Sequence, residues 1–392
     1  MKLNQKKIPE YNINNLMDLL NCVFMDRAFE LARKGLNTTM PNPRVGCVIV
    51  ADGKIVGEGY HRWTGQDHAE IIAIKSAGGK ARNSSMYITL EPCSFRGKTG
   101  PCTDEILRSG IREVIVASKD PNPRVAGKGL AKLKKAGVSV SMREDFKQSF
   151  ELNPGFFKRM RTGLPWVRVK IAKSMDGYIA LKSGESKWIT GTEARKDGHR
   201  WRARSCCILT GSHTIRADNP LLTVRVGDES LRNPIKVIVD PNLICDIDSK
   251  VFAEGKTILV TLNTKDSIKF DKIKVMRDKN IDVIQLPCAG PSSARFSLKL
   301  LLMELTEQEC NEVQVEAGPG LVTSLFKEKL IDEFLIYQSP KILGKGLSFI
   351  DKANERELLR RKSEWSFTDV SMIGDDVRMV LRNNKYDIPS FK

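Results

Sequence analysis

The sequence predicts an α/β protein built as two successive α/β domains. Three observations carry that reading. Apolar runs of strand length alternate with amphipathic helical stretches along most of the chain. A basic stretch ending in Gly163 and Pro165 interrupts the alternation near the middle. At 392 residues the chain also exceeds the usual size of one domain.

Each expected element has a local cause. Ala28, Phe29, Leu31 and Ala32 recur at helical spacing over 25–34, and Gly35 can close that helix. A buried strand over 45–50, the turn Asp52-Gly53 and a partner strand over 55–60 read as a hairpin. A helix over 68–75 ends at Gly78-Gly79; a strand over 86–90, a helix over 103–109, a strand over 112–117, a helix over 127–136 and a strand over 138–141 follow. The second series has strands over 167–172, 207–210, 235–239, 257–261, 283–286, 312–316 and 333–339, with helices over 192–204, 298–305 and 320–328. The expected organisation is an extension over 1–24 outside the fold, with Met25 as a possible start, and a first domain over 25–150. A linker over 151–165, a second domain over 166–385 and a tail over 386–392 complete it.

Composition narrows the class. With 41% hydrophobic and 28% charged residues, disordered and collagen-like chains are excluded. The longest apolar run, over 45–51, falls far short of the roughly 18 residues of a membrane span. The net charge of +17 is spread along the chain without an aromatic-interleaved basic stripe, so a Lys-biased solvated surface is preferred over a nucleic-acid footprint. Nine cysteines without a secretory signal indicate a reducing compartment, and a cytoplasmic location is expected. Cys47, Cys206 and Cys207 read as small buried hydrophobes.

Two constellations carry chemistry. His68-Ala69-Glu70 opens a helix, while Cys93 and Cys102 flank the start of another. One imidazole and two thiolates can hold Zn²⁺ at three corners of a tetrahedron, leaving the fourth for water. Glu70 is placed to take the water's proton and hand it to a leaving amine, which is the logic of zinc deaminases of nucleobases. Eight residues separate the cysteines rather than two, so an inserted loop is expected over the metal. The second constellation contains no G-x-G-x-x-G. Instead Glu316-Ala317-Gly318-Pro319-Gly320 turns from a strand into a helix, where backbone amides favour a phosphate.

With Pro41-Asn42-Pro43-Arg44-Val45-Gly46, His61, the zinc residues and Gly97-Lys98-Thr99, the chain resembles the bifunctional deaminase/reductase of riboflavin biosynthesis over residues 25 to about 382. Ser183 to Thr190, Ala217-Asp218-Asn219-Pro220 and Leu222-Thr223-Val224-Arg225 match the family's reductase half. The resemblance implies a cytidine-deaminase-like three-layer α/β/α domain followed by a dihydrofolate-reductase-like α/β domain.

It implies one Zn²⁺ per chain on His68, Cys93 and Cys102, with Asn42, His61 and Lys98 as substrate contacts. For the second domain it implies NADPH against Ala172, Trp188, Thr214, Asp218 and the turn Gly318, Pro319, Gly320, Leu321, Val322, Thr323 and Ser324. Substrate is expected against Ser186, Arg202, Leu222, Arg225 and Glu316, the arginines as guanidinium forks for a sugar phosphate, with Asp176 nearby and Lys170 polarising the ribose.

The implied reactions are deamination of 2,5-diamino-6-(5-phosphoribosylamino)pyrimidin-4(3H)-one, then reduction of its ribosyl group to ribityl. The implied partner is this small phosphorylated pyrimidine, with no nucleic acid or membrane, in a dimer or tetramer of like chains. Where the family has a histidine two residues after the first cysteine ligand, this chain has Phe95. Two rivals are a deaminase of the tRNA-adenosine type and a binding protein with decayed sites. The cysteine spacing and second domain oppose the former; the intact set His68, Glu70, Cys93 and Cys102 opposes the latter.

Overall fold

Side chains along a strand point alternately to opposite faces, and that alternation decides the layering of the first unit. The computed structural model describes residues 13–97, 100–143, 146–225, 232–263, 266–290, 295–350 and 363–386. The chain divides into two units between Asn153 and Pro154.

The first unit runs α1 (Ile13–Arg33), β1 (Gly46–Ala51), β2 (Lys54–Tyr60), α2 (Ala69–Ala77), β3 (Ser85–Ile88), α3 (Cys102–Ser109), β4 (Glu113–Val116), α4 (Lys128–Lys135), β5 (Ser139–Met142) and α5 (Phe146–Leu152). Its sheet has the order β2-β1-β3-β4-β5. It is antiparallel through β2, β1 and β3 and parallel from β3 to β5. Cys47 and Ile49 pack with Ala69, Ala73, Ile106 and Leu133 on one face, while Val48 and Val50 pack with Ala28, Phe29 and Ala32 on the other. Helices therefore cover both faces, giving the expected three layers.

Glycine sets how closely they sit. A Cβ on Gly46 would lie 1.9 Å from the Ala28 carbonyl oxygen, and one on Gly59 would lie 2.3 Å from that of Ala69. Helices α1 and α2 thus ride directly on hairpin backbone, which holds the start of α2 near the end of β2.

Two expected boundaries change. Helix α1 begins at Ile13 rather than near Met25, because the upstream turns are docked: Phe24 is buried, and the Tyr87 hydroxyl donates to Asn21 Oδ1 at 2.6 Å. The segment 1–24 is therefore not wholly an extension. The expected linker over 151–165 is largely helical, ending α5 and forming α6 (Pro154–Thr162). Its Phe156 and Phe157 are buried, as a solvated linker could not allow.

The second unit continues from α6 with β6 (Trp166–Lys173), β7 (Tyr178–Leu181), α7 (Thr192–Ala203), β8 (Cys207–Gly211), α8 (Ser212–Asp218), β9 (Ile235–Val239), β10 (Thr257–Leu262), α9 (Ser267–Asp278), β11 (Asp282–Leu286), α10 (Leu298–Glu307), β12 (Glu312–Val315), α11 (Pro319–Lys327), β13 (Glu333–Gln338), β14 (Gly346–Ser348), β15 (Trp365–Ile373) and β16 (Asp376–Asn383). The large sheet has the order β11-β10-β9-β8-β12-β6-β13-β16-β15. It is parallel from β11 to β13, and β16 and β15 are added antiparallel at one edge.

Every expected strand of this series is present. The sequence reading lacked β7, β14, β15, β16, α8 and α9. The expected tail also begins inside the fold, since Tyr386 is buried against the Trp166 ring at 4.8 Å.

Because β12 lies between β8 and β6, the carboxyl ends of these three parallel strands sit side by side, the usual place for a ligand crevice in such sheets. Among the described residues no helix is long and apolar enough to cross a membrane.

Candidate active sites

The first cluster stands beyond the carboxyl ends of β3 and β4. The buried Glu91 carboxylate accepts the backbone N–H groups of Gly127 (2.9 Å) and Gly129 (3.0 Å), tying the loop after β3 to the start of α4. A Cβ on Gly129 would lie 2.1 Å from the Pro92 carbonyl oxygen, so loop and helix touch backbone to backbone. This anchors Cys93. His68 is the N-cap residue of α2 and Cys102 the first residue of α3.

His68 Nδ1 lies 3.2 Å from Cys102 Sγ and 3.7 Å from Cys93 Sγ, and the three ligand atoms fall within 4.8 Å of one another. The Cys102 amide donates to Cys93 Sγ at 3.3 Å. Hydrogen bonding from Cys102 pulls the Cys93 thiol well below its ordinary value, with burial opposing and His68 assisting. Burial alone would lower His68, but the Cys93 hydrogen bond and the charges of Glu70 and Cys93 raise it to about 8. An imidazole and two sulfurs converging this closely form the donor set that Zn²⁺ prefers, and the residues fit that ion.

Glu70, in the first turn of α2, is 3% exposed. Burial pushes its carboxyl up, with His68 opposing, so it is suited to hold a proton as well as release one. Asn42 Nδ2 donates to His61 Nε2 at 3.0 Å, so the ring hydrogen sits on Nδ1, which faces the Asp67 carbonyl at 3.1 Å. Burial holds His61 below its ordinary value, so it is neutral, edge-on to the His68 ring at 5.2 Å.

Phe95 is half-buried under the Arg124 guanidinium, 4.2 Å from its ring centre. Lys98 lies outside the described residues. Sequence reasoning missed Asp120, whose carboxyl burial pushes up to about 7, with Glu91 and Cys93 adding to it against the Asn122 amide. Its only sequence signal was a lone carboxylate after a strand.

Glu316 organises the second cluster. Arg202 clasps it through Nε to Oε1 (3.0 Å) and Nη2 to Oε2 (2.8 Å), and Gln314 Nε2 donates to Oε1 at 2.8 Å. Burial would raise this carboxyl, but the charge and hydrogen bonds of Arg202, with Lys170, hold it at about 2. Lys170, on β6, is pushed below the ordinary ammonium range by burial, with Glu316 opposing and Arg202 adding. Its Nζ lies 5.9 Å from the centre of the Tyr337 ring, whose hydroxyl donates to Asp197 at 2.7 Å.

Arg202 Nη1 also donates to the Thr223 carbonyl at 2.5 Å. Here the structure departs from expectation: the Arg202 fork is engaged within the protein, whereas Arg225 is exposed and meets no carboxylate among the described residues. Its neighbour is His199 of α7, which sequence reasoning missed although it stands one helical turn before Arg202. Leu222 has φ 55°, a strained conformation for a branched side chain of the kind often found where a site demands it.

The turn into α11 is an open cradle. The Gly318 amide donates to Thr214 Oγ1 at 3.3 Å, joining α8 to the turn. A Cβ on Gly320 would meet nothing within 4 Å, and neither Gly318 nor Gly320 has a positive φ. Internal packing does not require these glycines, and the first amides of a helix lack intrahelical acceptors. The turn therefore fits a nucleotide phosphate. Val322 and Thr323 bury their side chains, so contacts from them would be made by backbone.

Ala172 sits at the end of β6 opposite Tyr337 of β13. Trp188 is 60% exposed, with the Arg195 guanidinium 4.5 Å from its ring centre and Lys341 Nζ donating to its carbonyl at 2.7 Å. Asp218 closes α8 exposed, and Ser186 is half-buried. Among the described residues no hydrogen bond or ion pair links Ser186, Trp188 or Asp218 to the Glu316 group. Asp176 accepts the amide of Gly344 at 2.7 Å and so pins a loop.

Comparison with known proteins agrees with this division. The family model for the RibD C-terminal domain matches residues 165–379, and that for the cytidine and deoxycytidylate deaminase zinc-binding region matches residues 20–118. The riboflavin biosynthesis protein RibD of Escherichia coli is 39% identical over 366 residues, covering 90% of this chain and 97% of the relative. Its counterpart in Aquifex aeolicus is 39% identical over 357 residues, covering 90% and 96%. Among solved structures, Acinetobacter baumannii RibD is similar with a TM-score of 0.85, 35% identity and coverage of 93% and 99%. A diaminohydroxyphosphoribosylaminopyrimidine deaminase/5-amino-6-(5-phosphoribosylamino)uracil reductase from Thermotoga maritima is similar with a TM-score of 0.80, 31% identity and coverage of 94% and 99%.

Proposed function

This chain belongs to the RibD family of riboflavin-biosynthesis proteins, which pair a deaminase with a reductase, and on that premise we propose the roles of its two clusters. The first unit removes the amino group from the diaminopyrimidine ribosyl phosphate, and the second reduces the ribosyl group of the product to ribityl. The observation that carries the reading is the convergence of His68 Nδ1, Cys93 Sγ and Cys102 Sγ beside the buried Glu70.

His68, Cys93 and Cys102 would hold one zinc ion. When bound, zinc lowers the pKa of a water to about 7 and makes hydroxide available at neutral pH. Glu70 takes up the water's proton at its carboxylate oxygen and returns it to the departing amino nitrogen, which leaves as ammonia. Neutral His61, locked by Asn42 and Asp67, presents a fixed ring against the pyrimidine rather than a proton carrier.

In the second unit the α11 turn, with Thr214, Ala172, Trp188 and Asp218, would bind NADPH. The cofactor supplies a hydride. Lys170 Nζ, held beside Glu316, orients and polarises the open-chain ribose, while Arg225, Ser186 and Leu222 seat the rest of the substrate. Arg202 acts by fixing Glu316 and the Thr223 carbonyl. Cytoplasmic residence and assembly of like chains into a dimer or tetramer complete the proposal; sedimentation of the purified protein reads the latter.

The test is one assay on zinc-quantified protein given the diaminopyrimidine ribosyl phosphate. Ammonia release followed by NADPH oxidation is expected. Ammonia without NADPH oxidation would remove the reductase assignment, and zinc-loaded protein releasing no ammonia would remove the deaminase assignment.

A further inference from the structure

The reductase cluster contains an imidazole that the roles above leave unused. His199, on α7, accepts the backbone N–H of Arg225 at Nδ1 across 3.2 Å. A peptide N–H can only donate, so Nδ1 presents a lone pair and the single hydrogen of a neutral ring sits on Nε2. The ring is neutral: burial, then the charges of Arg202 and Arg225, lower its pKa to about 4.

Its Nε2 faces Arg225 Nη2 at 3.4 Å. A guanidinium nitrogen has no acceptor capacity, so these are two donors side by side, and neither has an acceptor among the described residues. The surrounding charge is positive, from Arg202, Arg225 and Lys170. Glu316, the carboxylate that acts on this ring, is already bound by Arg202. Adjacent donors in a positive field, open to solvent at Arg225, are built for an oxyanion.

We infer that His199 Nε2–H and the Arg225 guanidinium together bind the phosphate monoester of the reductase substrate. This deepens the reading of the second unit as a reductase of a phosphorylated sugar and rests on it. It also accounts for the engagement of Arg202, since the anion then has its own pair of donors, His199 one turn earlier on α7 and Arg225 in the loop after α8.

The experiment uses the full-length enzyme with the already deaminated substrate, in its phosphorylated form and with the phosphate removed. His199→Leu is expected to raise KM for the phosphorylated form about 10- to 100-fold, the value of a charge-assisted hydrogen bond, leaving kcat and the KM for NADPH within about threefold. His199→Gln keeps one acceptor and one donor and is expected to stay within about threefold of the parent. The dephosphorylated form should not distinguish the three proteins. An unchanged KM for the phosphorylated form, or an equal rise for both forms, overturns the inference.

Should His199→Leu not fold, ¹⁵N NMR of the histidines in the unaltered protein decides. An Nε2–H tautomer whose Nε2 signal shifts saturably with inorganic phosphate supports the pair; an Nδ1–H tautomer, or no shift, refutes it. If the unaltered protein oxidises no NADPH on the phosphoribosyl substrate, the reductase reading fails, and the NMR result still stands or falls by itself.

Discussion

Replacing Glu316 with glutamine should destabilise the second unit in a way that pH reveals. In the folded protein its carboxyl is lowered from 4.5 to about 2, which at about 1.4 kcal/mol per unit amounts to about 3 kcal/mol of stabilisation at neutral pH. The side chain is 16% exposed, so solvent screening trims the figure to about 2 kcal/mol. Glutamine also leaves Arg202 and Lys170 without their carboxylate, which restores part of the loss, so a total of about 2–4 kcal/mol is expected.

The sign follows from the depressed value. The contribution is fully present above the unfolded carboxyl's pKa of 4.5 and is lost as pH falls towards 2. The gap between parent and Glu316→Gln should therefore be full at pH 7 and shrink to about half by pH 3. Urea denaturation followed by tryptophan fluorescence suits the unit, since Trp166, Trp188, Trp201 and Trp365 all lie in it. Equal stabilities at pH 7, or a gap that stays constant down to pH 3, would refute the assignment of Glu316 as a stabilising buried anion.

Glu70→Gln should cut ammonia release by about 10²- to 10⁴-fold while the zinc content stays at one ion per chain, because it removes the proton carrier and spares the ligands; unchanged turnover would end its catalytic role. Gly46→Ala should destabilise the first unit by about 3 kcal/mol or prevent its folding, since the new Cβ would lie 1.9 Å from the Ala28 carbonyl oxygen. Its loss of zinc and ammonia release can be followed directly. Gly320→Ala should leave thermal stability unchanged, because nothing lies within 4 Å of the added carbon, and raise KM for NADPH about tenfold by obstructing a phosphate. A Tm drop without a KM change would reverse that account.

Much of this protein was legible in its sequence because the signals are local. Hairpin β1–β2 announces itself through Asp52-Gly53 and two apolar runs, and the parallel strands through short apolar segments between helices. The candidate metal-binding trio could be picked out from spacing because His68 and Cys102 each stand at a helix start, where the chain pattern is clear. The antiparallel pair β15–β16 left a weaker trace: the edge strand β15 is largely solvent-facing, with Phe367 and Met372 exposed, and β16 is mostly half-buried, so neither forms a buried apolar run. The docking of the chain before Met25 depends on Tyr87, distant in sequence.

What the tertiary structure alone decided is how the charges are paired. Arg202 and Arg225 are equivalent forks in sequence, and only folding brings Glu316 and the Thr223 carbonyl to the first and His199 to the second. The raised carboxyl of Asp120 likewise arises from burial beside Glu91 and Cys93. Which residue types are present, and at what spacing along one helix or turn, is a property of the chain. Which of them meet across strands, and how much water is excluded when they do, is a property of packing, because electrostatic interaction depends on distance and burial rather than on order in sequence.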